Sequence, residues 1–174
     1  MSSVVFAGGI VLFLAIIIAV LVSINNKSRR GSAMKLVGRF NELGEKNNLS
    51  FTQKEMMENF VIGLDELRMK LFMLRKAGNQ YDFQLVNLRE IKSCLKKKIY
   101  QSINIGTEKK EKYVNYLDKI VLQFDFVDNR EPLQIAFYAS SGDNPLQLPE
   151  LEQKANSWVA ILTQTLNNKL KNRA

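Results

Sequence analysis

The chain has 174 residues, no histidine, one cysteine, and 25 Lys and Arg against 17 Asp and Glu, for a formal net charge of +8. Lacking histidine, it lacks the commonest metal ligand and the commonest general base. The lone Cys94 excludes an internal disulfide, which fits a reducing compartment. The surplus of positive charge points to an anionic surface, an acidic partner or nucleic acid.

The first predicted element is an apolar run from Val4 to Ile24, with no charged side chain before Lys27. About 20 apolar residues in a helix match a hydrocarbon core of roughly 30 Å, and in lipid such a backbone must be helical. A cleaved signal peptide would need a basic start, a shorter core and a small-residue cleavage site. Residues 2–6 hold no Lys or Arg, and Leu21-Val22-Ser23 is a poor cleavage site. The expectation is a transmembrane anchor within residues 1–26. Six basic residues (Lys27, Arg29, Arg30, Lys35, Arg39, Lys46) then face only Glu42 and Glu45. That asymmetry predicts a single-pass protein integral to the inner (cytoplasmic) membrane, N-terminus outside and C-terminal domain in the cytoplasm. Ala15 and Ala19 make one small-xxx-small pair able to seat a helix dimer, so a homo-oligomer stays open. The abundance of Asn, Lys and Ile suggests an AT-rich bacterial genome.

Residues 27–58 read as a juxtamembrane linker with short helices. Ser32 caps a helix to about Lys46, with Leu36, Val37, Phe40 and Leu43 on one face. A basic amphipathic helix of this kind lies either in a lipid interface or on the domain, and the sequence leaves both open. Thr52 and Glu55 are spaced as a capping box, with Phe51 and Met56 in staple positions. This predicts one or two helical turns ending at Glu58.

From Asn59 the apolar period changes to two. Strands are predicted over 60–64, 69–74, 81–88, 91–100 (running on to 105), 114–127 and 133–138. Turns fall at 65–66, 76–80, 109–112 and 128–132. Such short connections predict an antiparallel meander. After a loop over 140–149, a helix is predicted over 150–172. Leu151, Ala155, Trp158, Val159, Leu162, Leu166 and Leu170 form its apolar stripe. Glu150 and Glu152 near its start, and Lys169, Lys171 and Arg173 near its end, suit the helix dipole.

This order of elements resembles a pleckstrin-homology-like (PH-like) domain of bacterial type, over residues 59–174. The resemblance rests on the strands closed by one helix, on Trp158 within that helix, and on Val86-Asn87-Leu88-Arg89-Glu90-Ile91-Lys92-Ser93-Cys94, which is similar to a strand-to-strand passage in bacterial members. It implies an α+β fold: behind the N-terminal transmembrane helix, a PH-like antiparallel β-barrel or sandwich of 6–7 strands capped by a C-terminal amphipathic helix. Trp158, Leu162 and Phe124 would be structural. It also implies binding rather than catalysis, of phosphoinositide headgroups in some members and of peptides or proteins in many. Headgroup-binding members use basic residues around the first hairpin loop. Here that loop reads Asp65-Glu66-Leu67-Arg68, short and acidic, and the headgroup residues do not carry over.

The candidate binding residues are Lys96, Lys97, Lys98, Lys109, Lys110 and Lys112. They come together if the strands at 91–105 and 114–127 pair, and with Glu108 and Glu111 residues 96–112 carry a net +4. They read either as a basic rim facing anionic lipid or an acidic partner, or as a solvated hairpin end whose lysines blunt an edge. Nucleic acid would want aromatics interleaved with the charge; only Tyr100 and Tyr113 flank it, which disfavours that partner. Cys94 has no histidine partner and reads as a small core hydrophobe. Asp118 and Asp128 lie more than about 30 Å apart along a strand, too far for a paired acid and base, and Asp125 between them adds no partner. No glycine-rich phosphate loop is present. No catalytic, metal or cofactor residue is assigned. The expected function is a non-catalytic, membrane-anchored binding or scaffold module presenting its cytoplasmic domain to a protein partner. The alternative is a peripheral reader of an anionic lipid surface through the Lys96–Lys112 hairpin.

Overall fold

Among the described residues seven strands and two α-helices form, and one strand shows how they are layered. β2 (Phe60–Asp65) is buried at all six positions. Its run Phe-Val-Ile-Gly-Leu-Asp is continuous rather than alternating because both faces of its sheet are covered. The computed structural model describes residues 31–78, 80–106 and 111–171. Helix α1 occupies residues 31–46. The remaining elements are β1 (Gln53–Met56), β3 (Lys70–Ala77), β4 (Gln80–Asn87), β5 (Ile91–Asn104), β6 (Tyr113–Phe126), β7 (Leu133–Ala139) and α2 (Leu148–Lys171). They form a four-stranded sheet, β1-β2-β3-β4, and a three-stranded sheet, β5-β6-β7, antiparallel throughout.

The main core lies between the inner faces of the sheets and α2. Ile62, Leu71, Leu122, Phe124, Phe137, Trp158 and Leu162 belong to it. The stripe on α2 reaches it through Leu151, Ala155, Trp158, Leu162 and Leu166, all buried. A second core lies on the opposite face of the four-stranded sheet, where Leu36 and Phe40 of α1 meet Val61, Phe72 and Leu74. The Phe40 ring lies 4.6 Å from Phe51 and 5.1 Å from Phe72, centroid to centroid. The apolar face of α1 is therefore spent on the protein itself.

Gly63 makes that docking possible. A Cβ there would sit 2.7 Å from ring atoms of both Phe40 and Phe51. Phe40 is fully buried and cannot swing away. Gly63→Ala is expected to destabilise the protein by about 1–3 kcal/mol through overpacking. Phe51→Leu in the same chain should recover part of the loss in urea denaturation. An unchanged midpoint for Gly63→Ala alone would show that the rings yield.

Three expectations require correction. First, the sheets do not close into a barrel. β4 and β5 are joined by a 3₁₀ turn at Leu88–Glu90, yet no ladder links them, nor β1 to β7, among the described residues. Side chains bridge the corners instead. The Trp158 Nε1–H donates to Glu55 at 2.7 Å, and Arg75 of β3 donates to the Ala136 carbonyl of β7 at 2.6 Å. Second, no helix among the described residues is long and apolar enough to cross a membrane. At 24 residues α2 has the length, but Glu150, Glu152 and Lys154 already break its apolar character in the first turns. The expected span, Val4 to Ile24, lies outside the described residues. The membrane, transmembrane-helix and single-pass inner-membrane assignments are withdrawn accordingly. Third, the predicted helical turns before Glu58 are strand β1, with Gln53, Lys54, Glu55 and Met56 paired to Leu64, Gly63, Ile62 and Val61. A ladder along a buried strand outweighs a local capping signal. β1 also makes Met57-Glu58-Asn59 the first hairpin loop, ahead of Asp65–Arg68.

Asp65 closes β2 and is fully buried. Burial pushes its carboxyl up, but N–H bonds from Ser50 (2.8 Å) and Arg68 (2.9 Å) and the Arg68 guanidinium (3.1 Å) more than offset this, leaving it below the ordinary value. A carboxylate depressed in the folded state stabilises above its unfolded value of about 3.9 and loses that contribution as pH falls through the folded value. Wild-type stability should therefore drop as pH falls below about 4. Asp65→Asn should be less stable at pH 7 and show a shallower acid limb in urea titrations. Parallel limbs would refute the assignment.

Candidate interaction arm

β5 and β6 are both 14 residues long, whereas β7 has seven. The β6–β7 ladder starts at Lys119, opposite Ala139. Beyond it, Tyr100–Asn104 and Tyr113–Leu117 continue as a ribbon of two strands. Five residue pairs extend the arm by about 17 Å. The register shift at its base sits between Ile99 and Tyr100. There Asp118, almost fully buried, accepts from Gln101 (3.1 Å) and from the Ser140 hydroxyl (2.7 Å). The Ser140 N–H donates to the Asp118 carbonyl at 2.8 Å, which ends the β7 edge.

Pairing sorts the arm's side chains. Ile103 stands opposite Val114 and Gln101 opposite Tyr116, so Ile103, Val114 and Tyr116 share one face. Tyr100 and Tyr113 lie on the other. Tyr100 is 59% exposed, Ile103 52%, Ile105 57% and Tyr113 61%. Local bonds stiffen the ribbon: Ser102 Oγ donates to Asn115 at 2.6 Å and Tyr116 Oη to Gln101 at 3.2 Å.

The six candidate lysines do not form one patch. Lys96, Lys97 and Lys98 pair with Leu122, Val121 and Ile120 at the base, roughly 20 Å along the strand from Asn104. Lys96 and Lys98 both reach Glu152 of α2, at 2.6 and 2.8 Å. Their bonds hold the Glu152 carboxyl below its usual range, and Glu152 raises Lys98. Lys97 projects from the opposite face. Lys112 sits near the tip, its N–H donating to Asn104 Oδ1 at 3.1 Å. Neither Lys97 nor Lys112 forms an ion pair among the described residues. Lys109 and Lys110 lie outside the described residues. Periodicity places lysines along a strand but not the acid of another element, so the neutralisation by Glu152 was not legible.

The remaining candidates are structural. Phe124, Trp158 and Leu162 are 0%, 1% and 0% exposed. Cys94 is buried, and burial, followed by Asp125, pushes its thiol up to about 12, which leaves little thiolate. Asp125 accepts from Ser93 (2.8 Å) and Gln123 (2.7 Å), while Asp128 accepts from the Arg130 N–H at 3.4 Å in its turn. The three aspartates belong to separate local networks. Among the described residues no group of His, Cys, Asp or Glu is placed to hold a metal ion. A cleft of about 510 Å³ between α1, the β1–β2 turn and α2 is lined by Leu36, Met57, Lys76, Glu150 and Lys154, among others. Lys154 is already held by Glu55 and Glu150 at 3.2 Å each.

Two features escaped the sequence reading. Arg75 pairs with Asp143 across 68 residues; nothing local signals it. Tyr81, Phe83 and Leu85 show strand alternation, but their exposure depends on which strands α1 covers. Comparison with family models, with curated proteins and with solved structures gives no match to this chain.

Proposed function

We propose that the chain is a non-catalytic binding module of PH-like plan that engages an acidic, apolar surface of a protein partner through the β5–β6 arm. The plan is supported by four and three antiparallel strands in order with α2 across an open corner. The arm carries the functional reading. A ribbon of two strands is marginal in water and gains stability from a third strand or an apolar surface. Exposed tyrosine and isoleucine are suited to burial at an interface, and covering such a side chain contributes at most about 1.5–3 kcal/mol. Lys97 and Lys112, which form no ion pair among the described residues, favour acidic groups opposite them.

A photocrosslinking residue at Ile103 or Val114 of the full chain in its native cell tests this. Leu67, 80% exposed elsewhere, serves as the control. The expected result is a discrete heterologous adduct from the arm alone, lost when Ile105→Ser and Lys112→Glu are added. No adduct, or the same adducts from all three sites, would overturn it. A second reading, an anionic lipid surface, is favoured by exposed Tyr100 and Tyr113 on one face of the ribbon and Ile103 on the other, with Lys112 near the tip, since aromatic and basic groups around an aliphatic tip suit a bilayer interface. Co-sedimentation with phosphatidylglycerol vesicles that disappears with Ile103→Ser and Lys112→Glu would favour lipid over protein.

A further inference from the structure

We propose that the outer face of β4, beside α1, docks an acidic amphipathic helix from a partner protein. Four strands spaced by about 4.8 Å make a sheet roughly 14 Å wide between its outer strands, and a helix about 10 Å across covers only two of them. α1 lies over β2 and β3, with Phe40 against Gly63 and Phe72. A second helix packs beside the first at 8–10 Å, which falls over β4. There Tyr81, Phe83 and Leu85 stand opposite Lys76, Leu74 and Phe72 of β3 and are 38%, 49% and 37% exposed. The Phe83 ring is 5.9 Å from Phe72, so this shelf continues the core beneath α1.

The wall of the shelf is basic. Lys54 of β1 donates to Asn41 at 3.3 Å, which fixes the flank of α1 that faces β1. The opposite flank, at the i, i+4, i+7, i+11 spacing of one helical ridge, carries Lys35, Arg39, Glu42 and Lys46. Glu42 is engaged by Arg39 (2.6 Å) and Lys46 (2.8 Å), leaving a cationic surplus along this ridge. Lys76, at the far end of the shelf, forms no ion pair among the described residues. The geometry suits a helix: apolar residues two apart on a strand repeat every 6.8 Å or so, close to the rise of about 6 Å between helical residues i and i+4. Apolar residues at that spacing, flanked by Asp and Glu, match both floor and wall.

The test is selection of displayed random 20-residue peptides on the full chain, with counter-selection on Phe83→Ser. Phe83 is half exposed, so this variant should keep its fold, as its thermal transition will show. Enrichment of peptides with apolar residues at i, i+4 and i+7 and acidic flanks is expected. A synthetic peptide of the enriched sequence should bind at least tenfold more weakly to Phe83→Ser and to Lys35→Glu/Lys46→Glu, and equally well to the arm variant Ile103→Ser. Enrichment of basic or extended peptides, or of none, would overturn the proposal. So would self-association of the chain that Phe83→Ser abolishes, which would make a second copy the occupant. Because the arm variant serves as a control, failure here leaves the arm's role untouched.

Discussion

Trp158→Ala is expected to cost about 3–5 kcal/mol, a large share of the roughly 5–15 kcal/mol that holds a domain together. Trp158 is 1% exposed and sits in α2 between the sheets. Its indole packs into the main core, and its Nε1–H reaches Glu55 of β1 at 2.7 Å. Removing the ring opens a cavity in the main core and cuts the link from α2 to the four-stranded sheet. Trp158→Phe keeps most of the volume and should lose about 1–3 kcal/mol, the cost of an unmade hydrogen bond. Glu55 still holds Lys154 at 3.2 Å in that variant. Urea denaturation of the two variants separates packing from the hydrogen bond. Equal losses would mean that the indole N–H, not the ring's bulk, carries the stabilisation.

Asp143→Ala should cost up to about 3–5 kcal/mol, because it takes the ion-pair partner from a largely buried guanidinium and leaves it the Ala136 carbonyl. The Arg75 side chain is 21% exposed and that of Asp143 3%. Arg75 lies over the Phe60 ring at 4.5 Å and donates to Asp143 at 3.3 Å. Asp143 also accepts from Asn59 at 3.0 Å and from the Ala139 N–H at 2.8 Å. Burial pulls the Arg75 guanidinium below its ordinary value, and Asp143 opposes that pull. One carboxylate thus ties the end of β3 to the loop before α2. Arg75→Met removes the charge that Asp143→Ala would leave unpaired, so the double variant should be more stable than the sum of the single losses. A double-mutant cycle measures this coupling; additive losses would show that the two side chains act independently.

How far the chain could be read ahead of its structure varies by element. α2 was legible because Leu151, Ala155, Trp158, Leu162 and Leu166 repeat with a helix period that no strand accommodates. β6 and β7 were legible because Ile120, Leu122, Phe124, Ile135 and Phe137 repeat with period two. β1 was not: Thr52 and Glu55 carry a helix-start signal, and only β2, 5–11 residues further on in the ladder, overrides it. The lysines were visible as charges, but Glu152, 56 residues from Lys96, decided which of them remain available.

The sequence by itself determined which residues must face inward together, since periodicity is a property of neighbours along the chain. It also determined the charge surplus and the inert, buried character of Cys94. The tertiary structure decided that no ladder joins the two sheets among the described residues, that α1 lies on β2 and β3, and that side chains of the arm and the β4 shelf stay exposed. Those outcomes depend on contacts between distant residues, such as Phe40 with Gly63 and Arg75 with Asp143, whose strength comes from shape and burial that no local pattern encodes.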